Sequence, residues 1–171
     1  YVDVLIPRGG KGLIETVVLN STVPVIETGS GVCHIYVDKD ADINMAADII
    51  FNAKTSRPSV CNAAECMLIH KDIAEKALPV IAKKLKEKNT KILGDAAVCH
   101  ILNSMAEPAE EDDFGREFGD YVISAKIVSG LEEALEHIYT YSTGHSECIV
   151  TENLETAERF LNAVDAAAVY H

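Results

Sequence analysis

The sequence predicts an α/β domain: a three-layer α/β/α sandwich around a largely parallel sheet. Three observations lead there. Short apolar runs of strand length alternate with longer segments whose apolar residues recur at helical spacing. Turn and capping residues separate them where such elements must start and stop. Apolar residues make up 48% and charged residues 25% of the 171 positions, enough to bury a sizeable core.

Taken in order, residues 2–6 read as a strand, followed by the turn Pro7-Arg8-Gly9-Gly10-Lys11-Gly12. A short helix at 13–19 precedes a second strand, Val23-Pro24-Val25-Ile26. Gly29-Ser30-Gly31 breaks the chain before the strand Cys33–Val37. Asp40 and Asp42 are candidate caps for a helix with Ile43, Ala46, Ala47 and Ile50 at helical spacing. Arg57-Pro58-Ser59 ends it, because a proline disfavours helix at the residue before it. The run 66–70 is the next strand. Asp72-Ile73-Ala74-Glu75 has capping-box spacing for a helix that Pro79 either kinks or truly begins. Ser129-Gly130-Leu131-Glu132 repeats that spacing before a helix at 131–139. Asn153 caps a last helix with Leu154, Ala157, Phe160 and Leu161 on one face. Right-handed crossovers place helices on both faces of the sheet.

The net charge of −12 argues against nucleic acid, which calls for a surplus of Lys and Arg. Much of the excess lies in Glu107-Pro108-Ala109-Glu110-Glu111-Asp112-Asp113, read as a solvated loop. No apolar run is long enough to span a membrane, and residues 1–15 lack a signal-peptide pattern. Five irregularly spaced cysteines without a Cys-x-x-Cys imply reduced thiols, no structural zinc motif and a cytoplasmic setting. The strand-like opening and the apolar end predict a piece of a longer protein.

Cys61 is the leading candidate for chemistry. It follows the loop of Arg57 and Pro58 and precedes Asn62-Ala63-Ala64, able to begin a helical turn. A helix N-terminus, with Lys54 and Arg57 nearby, would favour the thiolate that attacks carbonyls. The competing reading is a small buried hydrophobe, a common fate of free cysteine. Glu27 follows a strand, where a doubly wound sheet binds ligands beyond the carboxyl ends; it is either a base or a solvated charge. Gly9 and Gly10, flanked by Arg8 and Lys11, could cradle a phosphate or form a plain tight turn. Gly144-His145-Ser146-Glu147 suits a substrate loop, with His145 otherwise an ordinary surface histidine.

Several segments together resemble the gamma-glutamyl phosphate reductases (glutamate-5-semialdehyde dehydrogenases) of the aldehyde dehydrogenase superfamily. They are Ile6-Pro7-Arg8-Gly9-Gly10-Lys11-Gly12-Leu13-Ile14, Pro24-Val25-Ile26-Glu27-Thr28-Gly29, Arg57-Pro58-Ser59-Val60-Cys61-Asn62-Ala63 and Thr143-Gly144-His145-Ser146-Glu147 with Ile149-Val150-Thr151-Glu152-Asn153. Glu117-Phe118-Gly119 stands where the superfamily has Glu-x-Phe-Gly-Pro. The resemblance implies an aldehyde dehydrogenase-like catalytic domain at 27–171, truncated at its C-terminus. Residues 1–26 would be the end of a cofactor-binding domain or a domain junction. It implies NADPH-dependent reduction of L-glutamyl 5-phosphate to L-glutamate 5-semialdehyde in proline synthesis. Cys61 matches the nucleophile and Glu27 the superfamily's base. Glu117 and Phe118 match the nicotinamide-ribose segment, and Gly9 and Gly10 border the cofactor phosphates. Arg57, Asn62 and His145 would meet the anionic substrate. A homo-oligomer and a functional link to glutamate 5-kinase are expected, with weak or no turnover by this piece alone. The alternatives are a dehydrogenase that oxidises a small aldehyde and a non-catalytic binding domain.

Overall fold

The computed structural model of the chain describes residues 1–27 and 29–171; the side chain of Lys11 is also outside the description. The chain divides into two compact units, 1–30 and 31–171.

Among the described residues of the first unit, the helix α1 (Lys11–Asn20) is the one regular element. The two expected strands reduce to a single parallel bridge between Leu5 and Val25. Leu5 N–H donates to Pro24 O and Ile26 N–H to Leu5 O, both at 2.9 Å. Pro24 has no N–H, so the ladder cannot extend through it.

The second unit is a seven-stranded sheet with every pairing parallel. Its strands are β1 (Cys33–Val37), β2 (Ala64–His70), β3 (Lys91–Gly94), β4 (Glu107–Pro108), β5 (Val122–Val128), β6 (Ser146–Val150) and β7 (Ala168–Tyr170), in the order β4-β3-β5-β2-β1-β6-β7. The helices α2 (Ile43–Thr55), α3 (Lys71–Leu85) and α4 (Ala96–Leu102) cover one face. There Ala46, Ala47 and Ile50 of α2 and Leu78, Ile81 and Leu85 of α3 pack on Ile35, Val37, Met67 and Ile69. Each fully buried Ile or Leu of this set contributes about 1.5–3 kcal/mol of transfer free energy. On the other face α5 (Leu131–Tyr141), α6 (Leu154–Ala163) and a 3-10 turn at Glu111–Gly115 bury Tyr36, Cys66, Leu68, Phe114, Ile138 and Phe160. The three-layer, parallel architecture matches the expectation.

Local departures have physical reasons. The Asp42 carboxylate caps α2, accepting from the N–H groups of Asn44 and Met45 at 2.8 and 3.0 Å. Helix α3 starts at Lys71, not at a capping box on Asp72, because His70 Nδ1 accepts from Asp72 N–H at 3.1 Å. It then runs unbroken through Pro79. The acidic block is not a plain solvated loop. Glu107 and Pro108 pair with β3, and Asp113 turns inward to accept from Glu110 N–H at 2.9 Å. That turn delivers Phe114 to the core. In α6, Ala157 and Phe160 are buried but Leu154 and Leu161 stay exposed, narrowing the expected face. No helix among the described residues is long and apolar enough to cross a membrane.

Candidate active site

In a parallel sheet, the segments that lead into strands meet at one edge. Residues 56–63 lead into β2, 116–121 into β5 and 142–145 into β6. Cys61, Asn62, Arg57, Glu117, Phe118 and His145 therefore all lie at the amino edge of the sheet. Glu27, Gly9 and Gly10 lie in the first unit and are exposed there. Thr28, in the Glu27-Thr28-Gly29 segment, is outside the described residues, as is the Lys11 side chain expected to add charge beside Gly10.

Cys61 is the one exposed cysteine of the five; Cys99 and Cys148 are half-buried and Cys33 and Cys66 buried. No helix begins behind it. Val60 N–H donates to Arg57 O at 3.3 Å and Ala63 N–H to Val60 O at 3.0 Å, and the chain then enters β2. The expected helix-dipole support is therefore absent. Lys54 is not free to activate the thiol either. It is buried in an ion pair with Glu65, Nζ to Oε2 at 2.6 Å. Burial pushes Lys54 below and Glu65 above their ordinary values, while each charge pulls the other back. Exposed Arg57 remains the nearest basic residue in sequence.

The backbone of Gly31 and Val32 ties the three segments together. Gly31 lies against Cys61: a Cβ there would meet the Cys61 carbonyl oxygen at 1.5 Å. Gly31 N–H donates to Glu117 Oε1 at 3.2 Å. Val32 N–H donates to Thr143 Oγ1 at 3.0 Å. Cys33 Sγ–H donates to the Cys61 carbonyl at 3.3 Å. Burial, followed by the charge of Glu147, pushes the Cys33 thiol up to about 12, so it stays protonated and can donate.

The Lys54–Glu65 pair brackets the Cys61 turn, one partner at the end of α2 and the other at the start of β2. Glu65 also reaches the next segment, where its Oε1 accepts from Gly119 N–H at 3.4 Å. Gly119 has φ +64°, a left-handed turn that glycine adopts without strain. Phe118 lies with its ring centroid 6.0 Å from Lys54 Nζ. One buried pair thus holds the Cys61 turn and the Glu117 segment together.

Behind His145, whose Nδ1 is 2.8 Å from Ser146 Oγ, sits a fully buried carboxylate. Glu147 Oε2 accepts from His34 N–H at 2.9 Å, and Oε1 accepts from Ser142 Oγ–H. Glu147 fixes where the 142–145 segment meets β1. Its role has no signature in sequence, because its partners come from β1 and from the end of α5. Cys33, Asn62, Glu147 and Tyr170 help line a cavity of about 340 Å³ on the α2 side of this edge.

The thiols should differ in reactivity. We expect iodoacetamide at neutral pH to label Cys61 first, by roughly tenfold or more over any other cysteine. Cys148, pushed up to about 11 by burial and then by Glu147, and buried Cys33 and Cys66 should follow slowly. Peptide mapping over time checks this; uniform labelling would refute it.

No family model matches the chain. It is similar to the gamma-glutamyl phosphate reductase of Lachnospira eligens, 56% identical over 170 residues, which cover 99% of this chain and 41% of that protein. The crystal structure of the gamma-glutamyl phosphate reductase of Thermotoga maritima superposes with a TM-score of 0.96 at 49% identity, over 99% of this chain and 41% of that one. An acetylating aldehyde dehydrogenase from Geobacillus thermoglucosidasius shares the fold, with a TM-score of 0.74 at 21% identity over 98% of this chain and 45% of that one. The chain is thus a homologue of the gamma-glutamyl phosphate reductases with an aldehyde dehydrogenase-like α/β architecture. It spans about two fifths of the length of the relatives it matches.

Proposed function

We propose that residues 27–171 are the catalytic domain of an enzyme that reduces L-glutamyl 5-phosphate to L-glutamate 5-semialdehyde and phosphate, with NADPH, in proline synthesis. One observation carries the reading. Gly31 contacts the Cys61 backbone and hydrogen-bonds Glu117, so a single residue sets an exposed thiol and an exposed carboxylate in register.

The Cys61 thiolate attacks the acyl carbon, the carbon–oxygen bond to phosphate breaks, and phosphate leaves with the electron pair. An acyl phosphate is already activated, so a positioned thiolate and an oxyanion donor suffice. The backbone N–H of Cys61 serves as that donor. Arg57, Asn62 and His145 stand on the same edge and meet the anionic substrate. When NADPH is bound, it supplies the hydride that takes the thioester to the aldehyde level. The aldehyde leaves as the bond to Cys61 Sγ breaks and returns its electrons to sulfur.

The residues present fit a nicotinamide cofactor. Glu117 is an exposed acceptor held by Gly31 N–H, a suitable partner for ribose hydroxyls, and Phe118 extends the same segment. Gly9 and Gly10 of the first unit are exposed before α1, and the family resemblance alone links them to cofactor phosphates. Glu27 keeps the place of the superfamily's base, but reduction of an acyl phosphate needs no activated water.

Acylation does not require the cofactor, so it tests the proposal on the chain itself. A freshly prepared acyl phosphate is expected to release one equivalent of phosphate in a burst and leave one acyl group on Cys61. Intact mass and peptide mapping read the adduct, and Cys61→Ser should abolish both signals. An adduct on another residue, or none, sinks the proposal.

A further inference from the structure

On the α5 face of the sheet, three buried side chains from distant parts of the sequence converge: His34 of β1, Cys66 of β2 and His137 of α5. One ligating atom from each lies within 4.8 Å of the other two. Cys66 Sγ is 3.7 Å from His137 Nε2. Two such ligands around a tetrahedral zinc ion stand ~3.6 Å apart, from the usual zinc–nitrogen and zinc–sulfur distances.

The cluster is unfinished as a hydrogen-bonded core. Among the described residues, both ring nitrogens of His34 and Nδ1 of His137 are buried without a hydrogen-bond partner; since His137 turns its Nε2 to Cys66, the nitrogen that a cation at the cluster would satisfy is His34 Nε2. A buried ring nitrogen left without any partner works against the folded state. His34 Nδ1 lies 3.2 Å from Glu147 Oε2, close enough for a charge contact though not aligned as a hydrogen bond. That leaves Nε2 for the cluster. A carboxylate behind a ligating histidine is the usual second partner in metal sites, where it fixes the ring. The His34 and His137 rings meet edge-on, centroids 5.4 Å apart, and Phe114 closes the other side of His137 at 5.4 Å.

We propose that His34, Cys66 and His137 form a buried binding site for a zinc-class divalent cation. Two imidazoles and one thiolate favour zinc or its borderline neighbours over magnesium or calcium, which take oxygen ligands. On binding, the Cys66 thiol gives its proton to solvent and the sulfur–metal bond forms; no electron is transferred. The ion staples β1, β2 and α5 together beneath the 142–145 segment. Three protein ligands leave the fourth tetrahedral position to a water, and the site lies apart from the chemistry at Cys61.

Cobalt reports such a site directly. The chain is stripped with a chelator and titrated with Co2+ in a Cys61→Ser background, which removes the exposed thiol. We expect a near-ultraviolet sulfur-to-cobalt band that saturates at one equivalent and is displaced by Zn2+. Zinc should also raise the thermal midpoint. Cys66→Ser should abolish the band, and His137→Gln should weaken cobalt affinity at least tenfold, with far-ultraviolet circular dichroism confirming the fold. No band in the Cys61→Ser protein, or a band that survives Cys66→Ser, overturns the proposal. If Cys66→Ser fails to fold, the titration of the Cys61→Ser protein and the His137→Gln comparison decide alone.

Discussion

Gly31→Ala is expected to lower the rate of Cys61 acylation by about two orders of magnitude, the scale that a displacement near 1 Å can produce at a reacting group. The added Cβ would lie 1.5 Å from the Cys61 carbonyl oxygen, 2.4 Å from its carbon and 2.9 Å from its Cα. All three are backbone atoms, so no rotamer change relieves the clash. Either the Cys61 turn moves outward or β1 shifts at its first residues. Both routes stretch the hydrogen bond from Gly31 to Glu117 and the contact from Cys33 Sγ to the Cys61 carbonyl. Overpacking of this kind also costs about 1–3 kcal/mol of stability. Phosphate-burst kinetics and urea denaturation on the same preparation separate the two effects. A variant that acylates at the unmodified rate would show that Gly31 does not position Cys61.

That glycine shows what the sequence could and could not reveal. Gly29-Ser30-Gly31 reads as a break before a strand, and β1 begins two residues later. The reason the last position must be glycine is a contact across thirty residues, which no local pattern encodes. The same division holds elsewhere. Asp42 and Asn153 are legible as caps because their partners are two or three residues away, and both do cap. The Asp72 box misleads because His70, a residue outside the usual capping set, supplies the acceptor. Parallel strands are legible from apolar runs, but the Val23–Ile26 segment loses its ladder to Pro24. At the site, Cys61 stands out by its surroundings, yet the argument from a helix terminus and a nearby Lys54 fails in three dimensions. Glu65 carries no sequence signal, and Glu147 is marked only as the end of the 143–147 segment, with nothing to show the role it plays. Each is an acidic residue in an apolar strand, and its meaning depends on a partner from another element.

Lys54→Met is expected to destabilise the fold by about 3–5 kcal/mol, the usual consequence of removing one partner from a buried ion pair. Lys54 and Glu65 are 0% and 1% exposed, so neither charge is screened by solvent. Without the ammonium, burial alone acts on Glu65 and holds its carboxyl further above the ordinary glutamate value of 4.5. A carboxyl raised in the folded state contributes stability at low pH and loses it as pH rises through the raised value. The deficit of the variant should therefore deepen as pH climbs above the ordinary glutamate range and shrink toward it. Urea denaturation at pH 5 and pH 8 checks the sign; an equal deficit at both would count against an uncompensated Glu65. Lys54→Met with Glu65→Leu removes both charges and should recover most of the stability. It should not recover the site. Gly119 N–H loses its acceptor and Phe118 loses the ammonium beside its ring, so the Glu117 segment is no longer tied to the Cys61 turn. A stable double variant with weakened nicotinamide-nucleotide binding would assign the pair to positioning rather than to stability. Unchanged nucleotide binding in that variant would confine it to the fold.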